Sequence, residues 1–233
     1  TLCADALTTI DLRRHAGAHP RIGAVDVVPF VPLGGATMAD AVAAARVTAD
    51  AVARRFDIPV LLYEEAATAP HRRRLEQVRR GRFEGLAAKF READWRPDFG
   101  PDAPHPTFGA IAIGARRLLV AFNINLATDR LEIGTAVATA IRASSGGLPH
   151  VKAMALALPA RRLVQVSMNL TNVDETPLRV VFDAVSREAA RYGVAVAESE
   201  LVGLVPASAV GDVAAACLRI ADWQPSKILD IRL

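Results

Sequence analysis

The second half of the chain carries the pattern that most restricts its possible folds. Segments typical of strands alternate with segments of helical periodicity in the order strand, helix, strand, strand, helix, strand. This is the order of a ferredoxin-like βαββαβ unit, in which both helices cover one face of the sheet. The predicted strands are 118–126, 151–158, 163–170 and 194–202, and the predicted helices are 129–143 and 176–191.

The uncovered face of this sheet is predicted to carry two rows of polar side chains. Asn123 and Asn125 alternate with apolar residues in the first strand. Gln165, Ser167 and Asn169 do so in the third strand. Because the first and third strands are neighbours in this fold, the two rows lie side by side. They form either a solvated face or the floor of a ligand cleft, and the cleft would be lined by Asn123, Asn125, Gln165 and Asn169.

The first half predicts fewer strands. A strand at 25–31 is followed by a helix at 38–56, a strand at 60–63 and then basic helices. These strands are too few to close a sheet, and the opening TLCADALTTIDLRR resembles the middle of a helix that lacks a cap. We therefore expect that an N-terminal piece is missing. The predicted fold is α+β, with two α/β subdomains that have mixed sheets, at 1–114 and 115–233.

The composition limits the classes of function. A chain of 233 residues with 52% hydrophobic and 23% charged residues is typical of a soluble globular protein. The formal net charge of +3 is too small to indicate a nucleic-acid-binding protein, but it is compatible with small anionic substrates. No apolar run is long enough to span a bilayer, and Cys3 and Cys217 are too far apart in the sequence to indicate a disulfide framework. We therefore expect a cytoplasmic protein with neither a nucleic-acid nor a membrane partner.

Several short motifs resemble known functional sites but lack the other residues that those sites require. His15 and His19 are four residues apart, but no glutamate follows the first, so we predict no metal site. Asp98-Phe99-Gly100 spells the kinase metal motif without any other kinase element, and we interpret it as a chance match. The glycines at 100, 109 and 114 do not have the spacing of a dinucleotide-binding motif, so no Rossmann cofactor site is predicted. The basic run at 71–82 is predicted to be a solvated helix face.

Two segments remain candidates for chemistry. His19 lies between Gly17 and Pro20, directly before the strand predicted at 25–31, and histidine is the side chain best suited to move protons near neutral pH. Simple packing or capping is the plainer alternative for this residue. The proline-rich stretch 95–109 has aromatic residues at both ends and is predicted to be an ordered interdomain loop with a function.

Six segments together resemble the glutamate formimidoyltransferases, a family that also forms the first part of formimidoyltransferase-cyclodeaminase. They occur in order over essentially the whole chain, and as a set they are highly specific. They are HPRIGAVDVVPFVPL (19–33), PVLLYEEAA (59–67), ADWRPDFGP (93–101), FGAIAIGARRLLVAFNINL (108–126), QVSMNL (165–170) and ESELVGLVP (198–206).

The resemblance implies an enzyme of histidine degradation. This family transfers the formimidoyl group from N-formimidoyl-L-glutamate to N5 of tetrahydrofolate, which gives 5-formimidoyltetrahydrofolate and L-glutamate. The resemblance also implies two α/β subdomains with a folate-binding cleft between them, a homodimer, tetrahydrofolate as co-substrate and no metal. The family's opening VPNFSEG-like strand and the cyclodeaminase domain are not in this sequence, so we expect a monofunctional form that is incomplete at its N-terminus.

The resemblance further implies roles for particular residues. The histidine of the family's HPR motif, its proposed catalytic base, falls on His19. Two roles are open for Arg21, which either orients a substrate carboxylate or pairs with Asp26. The family's folate-contacting loop falls on Gly100, Pro101, Asp102, Ala103, Pro104, His105, Pro106, Thr107, Phe108 and Gly109.

Two alternative functions compete with this one. A homologue that transfers a formyl group from N-formylglutamate has the same sequence requirements, because the same folate nitrogen attacks either carbon. A non-catalytic folate-binding module is the other alternative, since the fold by itself does not determine a function. Such a module would have no use for a proton carrier at His19.

Overall fold

The computed structural model describes residues 2–15, 20–210, 217–221 and 223–231. They belong to two compact units, Thr1–Arg117 and Leu118–Leu233. Each unit has its own sheet and its own hydrophobic core. The predicted α+β class is confirmed. Neither sheet is itself mixed: the sheet of the first unit is parallel, and the sheet of the second unit is antiparallel.

Three parallel strands form the sheet of the first unit, in the order β1-β3-β2. β1 is Val27–Phe30, β2 is Val60–Glu64 and β3 is Ile111–Ala115. The sequence pattern predicts only two strands in this half and misses β3, which pairs with both of them and lies at the centre of the sheet. All residues of β3 are buried, and a strand buried on both faces lacks the alternation by which a strand is recognised.

Two helices, α1 (Leu2–Thr9) and α2 (Met38–Phe56), contribute to the core on one side of this sheet. α2 has the predicted bounds, and its N-terminus has a complete capping box. The Asp40 N–H donates to Thr37 Oγ1 at 3.2 Å, and the Thr37 N–H donates to Asp40 Oδ2 at 2.8 Å. Small buried residues recur every four positions along α2 and let the helix lie close to the strands; they are Ala41, Ala45, Ala49 and Ala53.

The other side of the first sheet is covered by short elements. These are the helices α3 (Leu75–Val78) and α4 (Leu86–Lys89) and the 3₁₀ turns Pro70–Arg72, Phe83–Gly85 and Ala93–Trp95. A further 3₁₀ turn, Leu12–Arg14, follows α1. The apolar side chains of the covering elements bury a second cluster against the strands, which includes Ile22, Leu61, Tyr63, Val78, Leu86 and Phe90. The basic segment between β2 and β3 is therefore part of a packed layer rather than a set of solvated helices.

The second unit has the predicted βαββαβ order. Its strands are β4 (Val120–Leu126), β5 (Val151–Leu158), β6 (Leu163–Leu170) and β7 (Val196–Val202), and its main helices are α5 (Leu131–Ile141) and α6 (Leu178–Ala190). The strands pair antiparallel in the order β5-β6-β4-β7, so β4 and β6 are neighbours as expected. Smaller elements are α7 (Ala207–Val210) and the 3₁₀ turns Ala143–Ser145, Pro159–Arg161, Pro225–Lys227 and Leu229–Ile231.

One face of this second sheet packs against α5 and α6. Phe122 and Ile124 of β4 and Val166 and Met168 of β6 are fully buried there. The polar rows alternate with these residues and therefore point to the opposite face. Within the described ranges, no helix has the length and apolar character that a membrane span needs.

Candidate active site

The loop 100–109 is fixed at both ends by glycines. Gly100 and Gly109 have φ angles of 85° and 84°, in the left-handed region that favours glycine. A Cβ atom at Gly100 would lie 2.7 Å from the carbonyl oxygen of Ile58, and one at Gly109 would lie 2.2 Å from that of Ile22. Between these ends, Asp102, Ala103 and Pro106 are exposed, so the loop presents an accessible tip on a rigid base.

His105 closes the second half of this loop. Its backbone exchanges two hydrogen bonds with Gly109, each of 2.9 Å, and its ring Nδ1 accepts the N–H of Phe108 at 3.1 Å. Nδ1 is therefore the acceptor nitrogen of this imidazole, and Nε2 is the ring position left for donation. The ring of Phe108 is fully buried, and Thr107 O accepts the N–H of Leu12 at 2.9 Å. His105 and Thr107 thus shape the loop from within.

Asp98 anchors the chain just before the loop. Its Oδ2 accepts the N–H of Leu62 in β2 at 2.7 Å and the Nη1 of Arg72 at 2.6 Å, and its Oδ1 accepts the hydroxyl of Thr68 at 2.5 Å. The side chains of Arg72 and Asp98 are only 6% and 8% exposed. Asp98-Phe99-Gly100, interpreted above as a chance match, therefore contains the residue that ties the loop to the sheet.

Arg72 extends this network toward the aromatic end of the proline-rich stretch. Its Nη2 donates to the carbonyl oxygens of Asp94 and Arg96 at 2.7 and 2.6 Å. The prediction of a solvated helix face at 71–82 is wrong for this residue, because its guanidinium is buried and donates four hydrogen bonds inside the protein. The periodicity of a basic run gives no sign that one arginine in it is buried.

Lys89 is a second buried cation in the same layer. Its Nζ donates to the carbonyl oxygens of Gln77, Val78 and Arg80 at 2.7, 2.7 and 3.1 Å, and lies 3.7 Å from the centre of the Trp95 ring. Burial lowers the pKa of Lys89 to about 8. The lysine holds together the end of α3 and the segment that leads into the loop.

The candidate proton carrier His19 lies outside the described residues, which resume at Pro20. Arg21 pairs with Glu84 at 3.0 Å and donates to the carbonyl oxygen of His15 at 2.8 Å. Its alternative partner Asp26 is instead bound to a different arginine, Arg79, at 2.5 Å.

The residues that follow His19 pair with the end of the loop. Gly23 forms an antiparallel bridge with Gly109, and the N–H of Ala24 donates to Phe108 O at 2.9 Å. The N–H of Ala110 donates to Ile22 O, also at 2.9 Å. The structure therefore brings together two segments that the sequence keeps far apart, the one after HPR and the proline-rich one.

The polar rows of the second unit are joined as predicted. Asn125 lies opposite Gln165 in the register of β4 and β6, and Asn125 Oδ1 accepts the side-chain amide of Gln165 at 3.1 Å. Asn125 Nδ2 donates to Glu198 of β7 at 2.9 Å, and Asn123 Nδ2 donates to Glu200 at 3.3 Å. Asn169 is exposed at the end of its row, opposite Ala121.

The two glutamates of β7 were not among the predicted residues. In the segment Glu198-Ser199-Glu200, strand alternation places both carboxylates on one face, and this signal could have revealed them. Arg161 pairs with Glu198 at 2.7 Å and adds a positive charge to the row. Across the described ranges, no group of three or more histidine, cysteine, aspartate or glutamate residues is arranged to hold a metal ion.

Comparison with known protein families gives two matches. Residues 1–116 match the family described as "Formiminotransferase domain, N-terminal subdomain". Residues 121–222 match the family described as "Formiminotransferase domain". The two matches meet near the division between the two compact units.

Similar proteins share long stretches with this chain. The "Glutamate formimidoyltransferase" of Streptococcus pyogenes serotype M1 is 45% identical over 222 residues, which cover 95% of this chain and 74% of that protein. A protein of the same name from Thermoplasma acidophilum is 45% identical over 230 residues, with coverages of 98% and 76%. The "Formimidoyltransferase-cyclodeaminase" of Rattus norvegicus is 41% identical over 212 residues, which cover 88% of this chain and 39% of that protein.

Proposed function

Since the chain belongs to the formiminotransferase family, we propose that it is an enzyme that transfers the formimidoyl group from N-formimidoyl-L-glutamate to N5 of tetrahydrofolate. The products are 5-formimidoyltetrahydrofolate and L-glutamate, and the reaction is a one-carbon transfer of histidine degradation. The observation that carries this function is the 45% identity, over nearly the whole chain, to two proteins named for the activity.

The reaction needs two proton movements. N5 of the folate attacks the formimidoyl carbon and loses a proton, and the tetrahedral intermediate then expels glutamate as an amine, whose nitrogen must gain a proton. We propose that the imidazole of His19 carries out both transfers in turn, a role typically worth about 10²- to 10⁴-fold in rate. The match of His19 to the family's HPR motif supports this role.

The folate is proposed to bind at the loop 100–109. Its exposed tip and its anchored ends suit a loop that must hold a rigid ring system in a constant place. The pairing of its last residues with the segment 22–24 supports this assignment, because it keeps the loop close to residues that follow His19 in the chain. Orienting the two substrates toward each other is worth an effective molarity of about 10⁵ M or more when the geometry is good.

The amide rows of the second unit are proposed to line the substrate site. Gln165 and Asn169 are the accessible members, and Asn123 and Asn125 are held by Glu200 and Glu198. A carboxylate-orienting role of Arg21 stays a prediction, since its guanidinium binds Glu84 and the carbonyl oxygen of His15.

We also propose that the enzyme acts as a homodimer in the cytoplasm, with tetrahydrofolate as co-substrate and without a metal. Residues 1–114 and 115–233 are proposed to be its two subdomains. The compact units Thr1–Arg117 and Leu118–Leu233 support this division, because they separate at nearly the same point.

The function is tested in two ways: with two alternative one-carbon donors, and with a variant of His19. Purified protein is incubated with tetrahydrofolate and either N-formimidoylglutamate or N-formylglutamate. We expect turnover of the first donor, and a preference for the second would identify the enzyme as a formyl transferase. His19→Ala should lower kcat far more than it lowers folate affinity, whereas His150→Asn, at a histidine paired with Glu175 in the second unit, should stay fully active. Equal losses of kcat and affinity in His19→Ala would remove its catalytic role.

A further inference from the structure

We propose that Asp26 is a positioning residue, which together with Arg79 holds the segment after His19 against the end of the loop 100–109. This inference rests on the proposed function for its effect on catalysis. The structural part of the claim concerns described residues only and is testable without substrate.

The backbone at Asp26 is unusual for a residue just before a strand. Its φ angle is 62°, in the left-handed region that aspartate and asparagine tolerate better than most residues. Asp26 Oδ1 accepts the N–H of Ile22 at 2.8 Å, so the side chain closes the turn over residues 22–26. Asp26 O accepts the N–H of Ala112 at 2.9 Å, which fixes the same residue to β3. The turn is thus held from both sides of Asp26.

The second carboxylate oxygen reaches a distant part of the chain. Asp26 Oδ2 accepts the Nη2 of Arg79 at 2.5 Å, across 53 residues of sequence. The two side chains are 19% and 29% exposed, so the pair is only partly screened by solvent. Arg79 is itself held at the end of α3, where its N–H donates to Leu75 O at 2.9 Å. Asp26 therefore connects three parts of the first unit: its carboxylate binds the turn and the basic layer, and its backbone carbonyl oxygen binds the sheet.

This connection reaches the loop through Ile22. The N–H of Ile22 is held by Asp26, and its carbonyl oxygen accepts the N–H of Ala110, the residue directly after the loop. Ala24 then donates to Phe108 inside the loop. Loss of the Asp26–Arg79 pair would loosen residues 20–24 and the loop end together. His19 directly precedes Pro20 in the chain, so the loosened residues are the ones that follow the proposed proton carrier.

Asp98 provides a useful contrast. It anchors the opposite end of the loop to β2 through Leu62, and its other side-chain hydrogen bonds join it to Thr68 and Arg72 rather than to residues 20–26. Among these two anchoring carboxylates, Asp26 is the one that links the loop to the segment that follows the proposed catalytic residue.

The principal variant is Asp26→Asn. Asparagine tolerates the left-handed backbone and keeps an oxygen for the Ile22 N–H, but it loses the charge that binds Arg79. Arg79→Gln removes the same pair from the other side and leaves the Asp26–Ile22 bond in place. The matched control is Asp50→Asn, which removes an exposed ion pair with Arg54 on α2.

The first measurement is amide hydrogen exchange in the ligand-free protein. Both test variants should show roughly tenfold faster exchange at Ala24 and Ala110, about the effect of losing one hydrogen bond. The control should leave these two amides unchanged. Unchanged exchange at both amides in both test variants would overturn the structural part of the inference.

The second measurement is steady-state kinetics per folded molecule. We expect kcat divided by KM for tetrahydrofolate to fall roughly ten- to a hundredfold, with a raised KM for tetrahydrofolate, because misplacement by about 1 Å has effects of this size. The double variant should be no worse than the worse single variant, since both remove the same pair. A lower melting temperature with unchanged kcat and KM would make Asp26 a purely structural residue and overturn the proposal. Failure of the proposed function itself is recognised separately, because the unaltered protein would then lack transferase activity.

Discussion

Replacing Asp98 with asparagine should destabilise the first unit strongly. The carboxylate accepts three hydrogen bonds, from Leu62, Thr68 and Arg72, and its side chain is 8% exposed. Asparagine offers one acceptor oxygen in place of two, and its amide group would face a donor. The guanidinium of Arg72, 6% exposed, would keep its charge without a carboxylate partner. Removing one partner of a buried ion pair typically costs about 3–5 kcal/mol, and we expect a loss in this range.

The assay is urea unfolding followed by the fluorescence of Trp95, which lies beside Arg72 in the first unit. A Trp223→Phe background removes the other tryptophan of the chain, so the signal reports one unit. Asp50→Asn is the control, because its ion pair with Arg54 is exposed and should be worth about 0–1 kcal/mol. A loss for Asp98→Asn no larger than that of the control would refute the reasoning that this network anchors the loop.

Three further predictions follow from individual groups. Adding tetrahydrofolate should slow amide exchange in the loop 100–109 but not in α2, and an unchanged loop would count against the assignment of the folate site. Burial lowers the pKa of Lys89 from 10.5 to about 8, so the folded protein loses this proton before the unfolded chain does. The free energy of unfolding should therefore rise between about pH 8 and pH 10.5, by up to about 3 kcal/mol, and urea titrations of Lys89→Met should lack this rise. Thr37→Ala should lower the stability of the first unit by about 1 kcal/mol in urea unfolding, whereas Thr37→Ser should retain most of it because the capping hydroxyl remains.

Local periodicity was sufficient for much of the fold. β5, β6 and α2 have the predicted bounds, because alternation and the 3.6-residue repeat are properties of neighbouring residues. The same alternation correctly placed Asn125 beside Gln165, since the strand order of a βαββαβ unit makes β4 and β6 neighbours. The family, too, was recognisable from short motifs in order along the chain.

The tertiary structure decided which charged residues are buried and what they bind. Nothing in the run 71–82 distinguishes Arg72, which binds Asp98, from its exposed neighbours, and Asp26 finds Arg79 across 53 residues of sequence. β3 likewise shows no alternation, because both of its faces are covered by elements from elsewhere in the chain. The hydrophobic periodicity of a helix or strand indicates only which of its faces is buried, not which residues it contacts there. The partner that a buried charge needs is supplied by packing between distant segments, and for this reason the anchors of the loop became visible only in the folded chain.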